Sequence, residues 1–210
     1  MIKTVLFIIA LSFSLNFHAQ KSFEGVITFS TSISTSKLAP PDFNAYLNAK
    51  YGDSLVMYYS GNGDFKRVHK NSSETEGADS QLYLAKTGMI YFTSKSKQLD
   101  SANVAVNSVR FIKRTKVANE KIMGLDCECY KYDVMSDIDP AIITYCFSKK
   151  TLRVNPALFT KHADFFLNEF YKMAERPYLK FSFETDEFKL TYIAHDLKAQ
   201  SINKGLFRLK

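Results

Sequence analysis

Asn119-Glu120-Lys121-Ile122-Met123-Gly124-Leu125-Asp126-Cys127-Glu128-Cys129-Tyr130-Lys131-Tyr132-Asp133-Val134 is the stretch on which the reading of this chain turns. A glycine stands near its start, and two of the three cysteines and two tyrosines follow at alternating spacing. That period of two belongs to a β-strand with chemically distinct faces. Leu125, Cys127 and Cys129 point one way; Asp126, Glu128, Tyr130 and Tyr132 point the other. The chain should turn back near Ser136-Asp137-Ile138-Asp139-Pro140, so residues whose numbers sum to about 275 face each other across a hairpin. Cys129 then lies opposite Cys146, within reach of a disulfide, and Cys127 remains as a buried thiol. The sequence does not fix the register, and Cys127–Cys146 is the competing bridge. A zinc site would need more ligands at tighter spacing than these three cysteines offer.

Residues 1–20 read as a secretory signal peptide. Lys3 supplies the positive start and Val5 to Leu15 an apolar run too short for a stable membrane span, with cleavage after Ala19 or Gln20. No cysteine lies near that junction, so lipid attachment there is chemically closed. Removing this segment takes one lysine, leaving 27 basic and 21 acidic residues, net +6 over 190 residues. One domain, residues 21–210, is the expectation at that length, and no later stretch is apolar enough to span a membrane. The charge is spread over Lys66, Arg67 and Lys70, Lys113, Arg114 and Lys116, and Lys149, Lys150 and Arg153. An exported chain rarely meets nucleic acid, so these groups read as solvated, lysine-guarded sheet edges.

The rest of the chain supplies more strands. Phe23 to Phe29 opens the mature protein and continues past Ile33, and Phe43 to Tyr51 reads as a short helix with Asp42 at its start. Ser54–Ser60 and Phe65–Lys70 pair across Gly61-Asn62-Gly63-Asp64, and Gln81–Lys86 and Met89–Thr93 across Thr87-Gly88. Ser94 to Asn103 reads as loop, Val104 to Val117 and Ala141 to Ser148 as strands. After Asn155-Pro156 the period changes. Leu158, Phe159, His162, Phe165, Phe166, Phe170 and Met173 recur at three- and four-residue steps, predicting one long helix that ends near Glu175-Arg176 before Pro177. Tyr178–Glu184 and Phe188–Gln200 form a last hairpin. The expected fold is α+β: a strongly curved antiparallel sheet with one long and one short helix packed on it.

Three segments carry a resemblance. Phe23-Glu24-Gly25-Val26-Ile27-Thr28-Phe29, Ile122-Met123-Gly124-Leu125-Asp126-Cys127-Glu128-Cys129-Tyr130 and Asn203-Lys204-Gly205-Leu206-Phe207-Arg208-Leu209 are similar to the F-E-G-x-I-x-[YF], I-x-G-Y-x-C-x-x-Y and closing L-F-x-[IL] segments of GLPGLI-related exported domains of unknown function from Gram-negative bacteria. Leu125 replaces the usual tyrosine, and Arg176-Pro177-Tyr178-Leu179 stands where the naming Gly-Leu-Pro-Gly would be. The resemblance implies a LolA-like or LppX-like incomplete β-barrel whose mouth is plugged by helices and whose concavity shelters acyl chains in better-understood relatives. It implies no catalytic residues.

The motifs for chemistry are thin. His69, His162 and His195 stand without a partner histidine at metal-binding spacing, and His195-Asp196 lacks a nucleophile elbow or oxyanion loop. Glu184, Asp186 and Glu187 read as a turn, and no glycine loop cradles phosphate. The expectation is therefore a monomeric, periplasmic or secreted binding protein, not an enzyme, with no cofactor or metal. It would hold a hydrophobic or lipidic ligand against Phe159, Phe165, Phe166, Phe170 and Met173. The alternatives are an envelope interaction protein with a filled core, and a hydrolase built on His195.

Overall fold

A computed structural model describes residues 22–73, 78–94, 99–136 and 139–209. The expected signal peptide lies outside the described residues. Eleven strands form one antiparallel sheet: β1 (Gly25–Thr35), β2 (Ser54–Tyr59), β3 (Phe65–Lys70), β4 (Ala78–Leu84), β5 (Met89–Ser94), β6 (Leu99–Asn103), β7 (Val109–Ile122), β8 (Leu125–Ser136), β9 (Asp139–Phe147), β10 (Lys180–Glu184) and β11 (Phe188–Ala199). Their order across the sheet is β6-β5-β4-β3-β2-β1-β11-β10-β9-β8-β7. The outermost strands, β6 and β7, are thus consecutive in sequence.

That order forces curvature. Eleven flat strands would span roughly 48 Å at 4.8 Å per neighbour. Residues 104–108 join the two edges, and so short a link reaches at most about 20 Å. The sheet must curl until its edges nearly meet. Met123 and Gly124, both at positive φ, make the tight turn that twists β7 against β8. Shifts in the β7–β8 register between Phe111 and Lys113 and between Val117 and Glu120 add local twist.

The β8–β9 register is Cys129 opposite Cys146, with Tyr130 opposite Tyr145 and Ser136 opposite Asp139. Residues 137–138 of the expected turn lie outside the described residues. Cys129 and Cys146 form a disulfide with their Cα atoms 4.1 Å apart, and Cys127 is a free, buried thiol. The bridge lies on the convex face, where Glu120 of β7 reaches Lys180 of β10 at 2.6 Å. Glu120 and the two bridged sulfurs lie close together, but sulfurs in a disulfide are not metal ligands.

The concave face carries the main core. Ile27, Phe29, Leu55, Met57, Phe65, Tyr83, Ile143 and Tyr145 alternate inward from five strands. Residues 156–174 pack over them, and here the expected single helix is corrected. A 3-10 turn (Pro156–Phe159), a second (Asp164–Phe166) and α2 (Leu167–Ala174) replace it. Phe165 and Phe166 are left-handed, at φ 51 and φ 57, which no helix continues through. The amides of Ala163 and Asp164 donate to the Val104 carbonyl, at 2.7 and 3.1 Å, instead of to the preceding turn. The two rings consequently face different walls: Phe165 meets Phe181 and Phe183, while Phe166 meets Tyr132 and Phe111.

Three smaller departures follow from the same register. Leu99–Asn103 is an edge strand, not loop, since its pairing with β5 runs through backbone groups that composition does not report. α1 (Phe43–Tyr51) forms as expected, but Asp42 before it is left-handed and makes no side-chain cap. The closing Lys204–Phe207 segment is a 3-10 turn, not a last strand; Phe207 and Ile202 pack with Leu82 in a separate small cluster.

Candidate functional site

Alternate residues of the strands face a partly open cavity of about 280 Å³ on the concave side. Leu55 comes from β2, Arg67 and His69 from β3, Gln81 from β4, and Ile90 and Phe92 from β5. The opposite wall is Phe181 and Phe183 of β10 with Phe188, Leu190 and Tyr192 of β11. His162, Phe165 and Leu167 of the broken helical segment close it, together with Val104 of the link between β6 and β7. Opposed walls from strands that are distant in the sheet are a consequence of its curl.

Of the five aromatic and methionine residues expected to line a ligand, the cavity takes Phe165 alone. Phe170 is fully buried and stacks on Tyr145, with centroids 4.6 Å apart; Phe159 stacks on Tyr171 at 4.2 Å. These two rings fill space. Phe166 stands at a surface groove with Phe111, Arg114, Tyr132 and Glu169, and Met173 packs half-buried at the margin of the core. The expectation had treated the stripe as one face, and the break at Phe165–Phe166 divides it.

The sequence reading passed over the polar members of the wall. Arg67 stands with lysines in the sequence and was expected at a solvated edge. Its strand is interior, between β2 and β4, and its side chain points inward between Met57 and Gln81. Strand parity carried a signal, because Phe65, Arg67 and His69 share one face and Phe65 is fully buried. The Arg67 guanidinium lies 5.1 Å from the Phe65 ring centroid and donates to Tyr178 Oη at 3.3 Å, which in turn donates to Met57 Sδ at 3.1 Å. Its Nε is buried without a partner, and no carboxylate pairs with it among the described residues. Guanidinium does not lose its proton in proteins, so this is a cation in a mainly apolar cavity.

His162 is 3 % exposed and tucked between Phe65 and Tyr83. Neither ring nitrogen makes a hydrogen bond of normal geometry among the described residues. Burial pushes its pKa down to about 3, and the charge of Arg67 adds to that; nearby backbone groups of His162 and Asp164 offset part of it. It is a neutral imidazole. His69 is buried too, with Nδ1–H donating to the Tyr51 carbonyl at 3.2 Å, and burial lowers its pKa. Asp164 also lines the cavity, and its carboxylate accepts from the amide and hydroxyl of Ser108.

No family model matches the chain, and no curated protein matches it. Solved structures it is similar to include LprF from Mycobacterium bovis, at 11% identity, TM-score 0.36, covering 88% of this chain and 90% of that one. Another is a putative outer membrane lipoprotein-sorting protein domain from Vibrio parahaemolyticus, at 11% identity, TM-score 0.22, covering 89% and 88%.

The expected hydrolase alternative gains nothing from the geometry. His195 is exposed on β11, and Asp196 beside it is paired with Lys198 at 2.8 Å. Among the described residues no helix is long and apolar enough to cross a membrane.

Proposed function

We propose that this chain is an exported, non-enzymatic carrier that encloses the apolar part of a lipid-like ligand between its curved sheet and residues 156–174. The observation that supports the reading is the cavity itself: space of about 280 Å³ left open where aromatic side chains are abundant enough to have filled it. Ligand pockets run from roughly 300 Å³ upward, so the volume falls just short of that class. At about 30 Å³ per water-sized group, close to a methylene, it takes a chain of roughly nine. The GLPGLI-like segments, and the acyl-sheltering concavity that their resemblance implies, agree with this.

Native mass spectrometry of the protein purified from an exporting host, with organic extraction of what copurifies, tests the proposal. Wild type and Phe166→Asp should retain an apolar species, because the Phe166 ring lies outside the cavity. Phe165→Asp and Phe183→Asp should lose it. A wild type that neither copurifies with nor takes up any aliphatic ligand would sink the carrier reading.

A second reading rests on β7, an edge strand with Phe111 and Ile112 half exposed. An envelope partner adding a strand there would make the chain an interaction protein. Its mark would be a complex that Ile112→Lys dissolves while ligand retention is untouched.

A further inference from the structure

We infer that Arg67 and His162 form an anion subsite within the cavity, and that the ligand is a single-chain amphiphile bearing one carboxylate, with its head against the guanidinium. The inference rests on the carrier reading and adds the chemistry of the head.

Burying an unpaired charge costs several kcal/mol. The Phe65 ring and the Tyr178 hydroxyl recover part of that, but Arg67 Nε still faces no acceptor. Nearby carboxylates are engaged elsewhere: Asp164 accepts from Ser108, and Asp79 accepts from the Ser72 hydroxyl at 3.4 Å. A second orphan, His162, touches the same Phe65 ring and lines the same cavity. One fixed cation with a free Nε–H and one neutral imidazole N–H without a hydrogen bond of normal geometry are, among the described residues, a donor set short of acceptors. A carboxylate supplies the missing acceptors in planar form, matched to the guanidinium fork.

Charge balance selects among anions. A phosphate monoester carries about −1.5 to −2 and would bring uncompensated negative charge into the cavity. One carboxylate cancels one guanidinium. Volume selects the tail, since the cavity has room for one aliphatic chain and not for two side by side. The head belongs at the deep end, where Arg67 neighbours fully buried Tyr178 and Met57, and the tail runs past Phe165 and Phe183.

The test uses the delipidated full-length exported protein and three probes sharing one tail: decanoate, methyl decanoate and decyltrimethylammonium. Titration calorimetry or displacement of a fluorescent fatty-acid analogue gives each affinity. Decanoate should bind tighter than its methyl ester by roughly tenfold to a hundredfold, the worth of hydrogen bonds to a charged group. The cationic probe should bind weakest. Arg67→Met should erase the preference for decanoate over its ester, and Arg67→Lys should retain part of it. Equal binding of acid and ester by the wild type overturns the subsite and leaves the carrier reading standing. Binding of none of the three overturns both. The wild-type comparison decides the matter even if a variant fails to fold.

Discussion

The two halves of the concave face are built from the same kinds of side chain and do opposite things with them. Toward β9 and α2, Phe147 and Tyr178 meet Phe170 edge to face, and Tyr145, whose other side reaches the cavity, stacks on it. Toward β3–β5 and the start of β11, Phe92, Phe183 and Phe188 ring a void. Aromatic content therefore does not separate core from site. What separates them is the company: phenylalanines and hydroxyl-paired tyrosines in the filled half, and in the hollow one a cation with no carboxylate partner and an imidazole with no hydrogen bond of normal geometry among the described residues.

The sharpest way to break this contrast is acid. His162 ordinarily titrates near 6.5, and its folded pKa is pushed down to about 3. The unfolded chain therefore binds more protons between those values, and stability is complete above pH 6.5 and falls as pH drops toward 3. The loss should reach as much as about 5 kcal/mol, with the lowered His69 pKa adding in the same direction. Urea unfolding across that range should show it, and His162→Leu should flatten the curve.

Phe170→Ala in the filled half should cost about 3–5 kcal/mol, while Phe183→Ala on the cavity wall should cost under about 2 kcal/mol because it enlarges a space already open. Equal losses in denaturant melts would erase the distinction between the halves. Replacing both Cys129 and Cys146 with alanine should cost about 3 kcal/mol, as expected for a bridge spanning 17 residues. Arg67→Met has the smallest effect and the opposite sign: with no ligand bound, it should stabilise by about 1–2 kcal/mol, since it removes an unpaired buried charge.

Much of the strand framework was legible in the sequence. The turn near residues 136–140 narrows the bridge to Cys129 or Cys127 with Cys146, of which the structure takes Cys129, and period-two alternation places most strands within a few residues of their ends. The break at Phe165–Phe166 was not, because no glycine or proline marks it. It follows from amides drawn to the Val104 carbonyl, a contact about sixty residues away in sequence that local spacing cannot report. Edge strand β6 was missed for a related reason, its pairing being carried by backbone. Arg67 was hidden by its lysine neighbours, although the parity of Phe65 pointed it inward.

Because the edge strands β6 and β7 are joined by residues 104–108 and not by a ladder, the circle of the barrel is completed covalently where the hydrogen bonding stops. The Val104 carbonyl and the Ser108–Asp164 contacts clasp that gap. That gap can widen by parting a few such bonds while every strand stays zipped to its neighbours. Opening and stability are thus assigned to separate sets of bonds, and in amide exchange the clasp should open long before the ladders do.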